Sequence, residues 1–141
     1  MQKESCIFCK IARKEVPGHI VFENEHVLAF LDLSQVTKGH TLVIPKQHAD
    51  NMYDLSPEQA QDVFATIPQI SRALQQETGA AGMNLLSNTG KVAGQSVSHF
   101  HLHLIPRHDK QDGFGAKWEV HNDEYTTEEL AELANSIASR I

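Results

Sequence analysis

The chain has 141 residues, of which 40% are hydrophobic and 21% charged, and its formal net charge is −6. These values suit one globular domain with its own core, and the acidic balance argues against a surface built for long nucleic acids. No apolar run reaches membrane-spanning length and the polar opening Met1-Gln2-Lys3-Glu4-Ser5 lacks the features of a secretory signal, so a cytoplasmic protein without membrane association is expected.

In chain order, Cys6 to Ala12 has the apolar spacing of a short helix through Ile7, Phe8 and Ile11, with Pro17-Gly18 as the turn that ends it. Strands are expected over 19–22 and 26–31, joined by Glu23-Asn24-Glu25, and over 40–45, closed by Pro45. Ser56-Pro57-Glu58-Gln59 opens a helix with an N-cap, proline at the first helical position and an acid at the positive dipole end. Val63, Phe64, Ile67, Ile70 and Leu74 form its apolar stripe and Gly79 ends it, while Pro68 should kink or split it. A fourth strand is expected over 83–87, a glycine-bearing loop over 88–96 and a fifth strand over 97–106. Residues 127–133 read as an N-capped amphipathic helix. With no repeat or linker, the reading is a single α+β domain over 1–141 with a mainly antiparallel five-stranded sheet, one long helix and shorter ones.

Chemistry concentrates in His99-Phe100-His101-Leu102-His103. On a strand these three imidazoles share one face, about 7 Å apart at the Cα atoms, while Phe100, Leu102 and Leu104 take the other. The nine histidines of the chain make isolated ones uninformative, and His19, His26, His108 and His121 read as solvated or turn residues. For the run itself, three readings stand at this point: half-buried packing, a zinc pair, or nucleophilic catalysis by a neutral ring whose other nitrogen donates to a fixed acceptor. The preceding stretch Asn88-Thr89-Gly90-Lys91-Val92-Ala93-Gly94-Gln95-Ser96 joins flexible backbone to hydrogen-bonding side chains, a composition that suits phosphate oxygens. Cys6-x-x-Cys9 supplies half a tetrahedral zinc site, or else two small buried side chains.

Several stretches together carry a resemblance. His99 to Ile105 matches the His-φ-His-φ-His-φ-φ signature of the histidine triad (HIT) family of nucleotidyl hydrolases and transferases. The match extends to Ile7-Phe8-x-Lys10-Ile11, Phe30-x-Asp32, His40-x-Leu42-Val43-Ile44-Pro45-Lys46-x-His48, Asn88-x-Gly90 and Gly94-Gln95-Ser96-Val97. It covers about residues 5–108, leaving 109–141 as a C-terminal extension, and resembles the bacterial Hint-like branch most.

The resemblance implies a HIT-like fold and a set of roles. His101 would attack the α-phosphorus of a nucleotide, with the carbonyl of His99 accepting the proton on its far nitrogen. His103 would bind phosphate oxygens, Ser96 would donate to the leaving group, and Asn88, Gln95 and the amide of Val97 would hold the phosphate. Asp32 matches a ribose-binding acid, though a solvated turn acid is the alternative. Ile7, Phe8, Ile11, Phe30, Leu31 and Leu33 match positions walling a purine pocket, and they would serve a core equally well.

The resemblance also completes the zinc site, with Cys6, Cys9, His48 and His99 as ligands of a structural ion and no organic cofactor. It further implies a homodimer whose sheet runs across two subunits. The implied activity is hydrolysis of nucleoside 5′-phosphate derivatives such as adenosine phosphoramidate. Alternatives are hydrolysis of dinucleoside polyphosphates, as in the Fhit branch, or a zinc-stabilised nucleotide-binding module with little catalysis. Trp118 and Gly113-Phe114-Gly115 read either as reaching a site, the partner's included, or as ordinary packing.

Overall fold

The computed structural model describes residues 3–141; Met1 and Gln2 of the polar opening lie outside the described residues. Five strands form one sheet in the order β1-β2-β3-β5-β4, with every neighbouring pair antiparallel. The strands are β1 (Ile20–Glu23), β2 (Val27–Leu31), β3 (Thr41–Pro45), β4 (Gly82–Leu86) and β5 (Leu102–Arg107). The helices are α1 (Ile7–Ala12), α2 (Pro57–Thr78) and α3 (Thr127–Ala138).

The two central strands β2 and β3 are buried along almost their whole length, which is why they read as unbroken apolar runs rather than alternations. Their side chains alternate between two cores. Val27, Ala29 and Val43 pack with Leu102 and Leu104 against Val63, Ile70 and Leu74 of α2. Leu28, Phe30, Leu42 and Ile44 pack against Phe8 of α1 on the opposite face. With Leu102 and Leu104 committed to the α2 side, the pleat turns His103 toward the α1 side.

Four expectations need correction. α1 ends at Ala12, well before Pro17-Gly18, because a Schellman closure stops it: Glu15 N–H donates to Lys10 O, Lys14 N–H donates to Ile11 O, and Lys14 is left-handed at φ 64°. A lysine holds the position where glycine is the usual sign, so composition conceals this stop.

α2 is not split at Pro68; it runs unbroken for 22 residues. Pro68 and Phe64, whose carbonyl loses its partner, are both exposed, so water can satisfy that carbonyl. Burial of Val63, Thr66, Ile70 and Leu74 carries the helix across the site. Its ends follow the sequence rules, with a Ser56–Gln59 capping box and Gly79 left-handed at φ 68°.

β5 begins at Leu102 rather than Val97, so His99 and His101 precede the regular ladder. Backbone groups there are diverted: Phe100 N–H donates to Ala49 O (2.7 Å), and the His99 carbonyl accepts from a side chain. Finally, α3 extends to Ala138 and is capped by Thr126, and every residue from Lys117 onward is exposed. The remaining strand ends move by a residue or so, within the usual ambiguity of element boundaries.

Among the described residues, no helix is long and apolar enough to cross a membrane.

Candidate active site

A pocket of about 690 Å³ opens on the α1 side of the sheet. Ile7, Phe8 and Ile11 of α1 face Phe30, Leu31 and Leu42 across it, Asp32, Leu33 and Ser34 form one rim, and Ser96, Val97, His101 and His103 line its polar end. Leu33, at 85% exposed, touches the pocket only as rim. Pro17, Gly18 and His19 also border it, so His19 stands at the pocket and not merely in a turn.

The hydrogen-bond partners assign a tautomer to each ring. His101 is buried, and its Nδ1–H donates to the His99 carbonyl (2.7 Å), which leaves the lone pair of the neutral ring on Nε2. Phe8 packs edge-on against this ring with centroids 5.2 Å apart, limiting its rotation. Burial lowers the His101 pKa despite the raising effect of the His99 carbonyl.

His103 stands 5.0 Å from His101 between ring centroids. Its Nδ1 lies 2.8 Å from Nε2 of His40, a buried ring whose Nδ1 accepts the Val36 N–H at 3.3 Å. With that acceptor at Nδ1, neutral His40 carries its proton on Nε2 and donates it to His103, so His103 keeps its own N–H on the outward Nε2. Burial first, then the neighbouring His101 and His40, hold His103 down to about 4. Asp32 approaches the same chain, with Oδ2 3.7 Å from His40 Nε2 and Oδ1 accepting the Ser34 N–H. His40 is the member that reasoning from the triad overlooked. Its only trace in the sequence is its place at the head of the His40-x-Leu42-Val43-Ile44-Pro45 run.

The loop before the triad departs from expectation. Neither Asn88 nor Gln95 borders the pocket. Gln95 spends its amide inside the loop, accepting from Gly90 N–H (2.9 Å) and donating to the carbonyls of Asp50 (2.7 Å) and Val97 (3.0 Å). Asn88 Nδ2 reaches the Gly94 carbonyl at only 3.5 Å. Gln95 is therefore a loop-shaping group here, and Ser96 and Val97 are the loop residues that face the cavity.

Behind the triad, Cys6, Cys9, His48 and His99 bring their ligand atoms within 4.8 Å of one another. Cys6 Sγ is 3.3 Å from His99 Nδ1, Cys9 Sγ is 3.3 Å from His48 Nδ1, and Cys9 Sγ is 3.5 Å from His99 Nδ1. A tetrahedral zinc ion, with bonds of about 2.3 Å to sulfur and 2.0 Å to nitrogen, places such pairs about 3.6 Å apart. The far nitrogens agree with ligation: His99 Nε2–H donates to Pro45 O (2.9 Å) and His48 Nε2–H donates to Asp50 (2.7 Å), freeing both Nδ1 lone pairs. Burial pushes the Cys9 thiol up and holds His99 down to about 4.

Asp32, His40 and His103 form a second compact cluster, but it fails the same test. Ligation through His40 Nε2 would move its proton to Nδ1, directly against the Val36 N–H. That cluster is a hydrogen-bond chain.

An antiparallel sheet presenting this histidine array to an apolar pocket defines the histidine triad class of proteins. A family model described as the HIT domain matches residues 13–110, and the chain belongs to the HIT family. Protein hit of Bacillus subtilis is 54% identical over 138 residues, 98% of this chain and 95% of that protein. A crystal structure of a HIT family protein from Bacillus anthracis aligns with a TM-score of 0.95 at 53% identity, covering 98% of each chain. An adenosine 5′-monophosphoramidase of Schizosaccharomyces pombe is 38% identical over 137 residues, 97% of this chain and 98% of that one.

The buried rings make stability depend on pH. His99 and His103 near 4, and His101 lowered, all lie below their ordinary 6.5, so in acid the unfolded chain takes up protons that the folded one refuses. Their contribution is complete above about 6.5 and is lost as pH falls toward 4. The urea midpoint is expected to fall steadily between about pH 7 and pH 4.5. A flat midpoint over that range would contradict neutral burial of the three rings.

Proposed function

We propose that this chain hydrolyses nucleoside 5′-phosphate derivatives of the adenosine phosphoramidate type through a nucleotidyl–His101 intermediate. One observation carries the reading: His101 Nδ1 is tied to the His99 carbonyl, so the neutral ring offers its Nε2 lone pair at the polar end of the pocket. The name of the fission yeast relative supports the substrate class.

In the first step Nε2 of His101 bonds to the α-phosphorus as the bond from phosphorus to the leaving nitrogen breaks. The outward N–H of His103 donates to the phosphate oxygens, and Ser96 donates toward the departing group. Water then attacks phosphorus, the bond to Nε2 breaks and the nucleoside monophosphate leaves; the proton that water gives up to solvent replaces the one the departing amine took from it. The Val97 amide contacts the phosphate, and Gln95 acts by shaping the loop. Asp32 accepts from the ribose hydroxyls, and the base, a purine, lies between Phe8, Ile11 and Phe30, with Ile7, Leu31 and Leu33 around it.

His101→Ala is expected to cut turnover of adenosine phosphoramidate by about a thousandfold or more while the folded variant still binds adenosine monophosphate. Turnover at the wild-type rate would remove His101 as nucleophile. A wild-type preference for diadenosine polyphosphates over the phosphoramidate would move the chain to the polyphosphate-hydrolase reading. Nucleotide binding with no turnover of either would leave a binding module.

Cys6, Cys9, His48 and His99 would hold zinc as a closed structural site, which would pin the N-terminal segment to the sheet and fix His99. Purified protein is expected to carry one zinc per chain by metal analysis, and Cys6→Ser to carry much less. Substoichiometric metal unchanged by the substitution would dismiss the site.

The partner we propose is a second copy. Trp118 is 80% exposed, Val120, Tyr125, Leu130, Leu133 and Ile137 are exposed with it, and β4 is an uncovered sheet edge with Leu85 half-exposed. An edge and an amphipathic helix without cover in one chain are what a homodimer would bury while continuing the sheet. Light scattering should give twice 15.7 kDa, and a monomer at micromolar concentration would refute it.

A further inference from the structure

Arg107, at the end of β5, gathers the segment that follows it. Its Nε donates to Asp112 Oδ1 (2.7 Å), one Nη donates to Asn84 Oδ1 on β4 (2.6 Å), and the other donates to the Phe114 carbonyl (2.8 Å). The guanidinium also stands 5.4 Å from the centre of the Phe114 ring. The second oxygen of Asp112 accepts the His108 N–H at 2.7 Å. Both charged side chains are largely sheltered, so this is a built collar over residues 107–114 and not a loose surface pair.

The collar delivers Gly113 against the loop that joins Asp32 to His40. Gly113 has φ +99°, and a Cβ there would lie 2.9 Å from the Val36 carbonyl oxygen. Both the conformation and the clearance demand glycine. Thr37 holds the same loop from the other side, donating to the Pro106 carbonyl (2.6 Å). The Val36–Thr37 peptide is therefore clamped between the end of β5 and the collar.

That clamp matters because Val36 also carries the adjoining Gln35–Val36 peptide, whose N–H, donated to His40 Nδ1, decides where the His40 proton resides. Were the donation lost, the proton could move to Nδ1, and Nε2 of His40 would become an acceptor. His103 would then carry its own proton on Nδ1, and its outward nitrogen would present a lone pair where it now presents an N–H. One proton shift reverses the polarity facing a phosphate.

We propose that the Arg107 collar is a positioning element for His103, acting through the backbone on both sides of Val36 and the His40 ring. The proposal rests on the reading of His103 as a phosphate donor. Arg107, Asp112 and Gly113 do not border the pocket, so they act on the reaction through the residues they hold and not by touching substrate.

The test is Gly113→Ala, read by imidazole nitrogen-15 shifts of His40 and His103 and by steady-state kinetics with adenosine phosphoramidate. The wild type should show His103 as a single Nε2–H tautomer. The variant should show a mixture, with kcat lower by about ten- to a hundredfold and KM little changed. Arg107→Lys keeps the charge but not the fork, and provides the same readout if Gly113→Ala does not fold. A single unchanged His103 tautomer in a folded variant would overturn the proposal. If the wild type turns over no phosphoramidate, the proposed function fails on its own, and the nitrogen shifts still decide the collar.

Discussion

His99 is tied to its surroundings at three separate points, and the rest of the site depends on that. Its ring is fully buried, with Nε2–H on the Pro45 carbonyl at the end of β3 and Nδ1 facing the thiols of Cys6 and Cys9. Its backbone carbonyl accepts the proton of His101. A ring so held cannot turn, and its peptide can move only if β3 or α1 moves with it. The Nε2 nitrogen of His101 therefore inherits its direction from a residue that itself lies behind the pocket.

A second set of restraints reaches the pocket from the opposite side. His40, His103 and the Val36 peptide form a short chain in which each nitrogen has one donor or one acceptor role. Neutral imidazoles make this chain unambiguous, and burial keeps His103 neutral well below pH 7. The two sets give adjacent rings opposite polarities toward the cavity: a lone pair on His101 and an N–H on His103. A lone pair beside a donor is the pairing that the proposed attack on phosphorus would use.

Much of this architecture is visible before folding. The strands, the capped ends of α2 and the alternation around the triad follow local rules: apolar period, caps and pleat. The family resemblance rests on residues in fixed order, and it extends to the pairing of Cys6 and Cys9 with His48 and His99. The misses are Lys14 in a left-handed turn, an unbroken helix across Pro68, and a strand that starts late at Leu102. At Lys14 the closing hydrogen bonds of the helix outweigh the residue's own conformational preference, and in the other two packing or a bond from a distant residue does.

Gln95 and His40 mark the division most clearly. The sequence by itself determined which side chains the chain can bring to the proposed chemistry, because residue type and two-residue spacing do not depend on the fold. It did not determine where each hydrogen-bonding atom is spent. Only the tertiary structure turns Gln95 inward to brace its loop and sets His40 behind His103, because those partners lie 45 residues away at Asp50 and 63 residues away along the chain. A hydrogen bond is short and directional, so its identity is decided by which atoms the packed chain brings within about 3 Å.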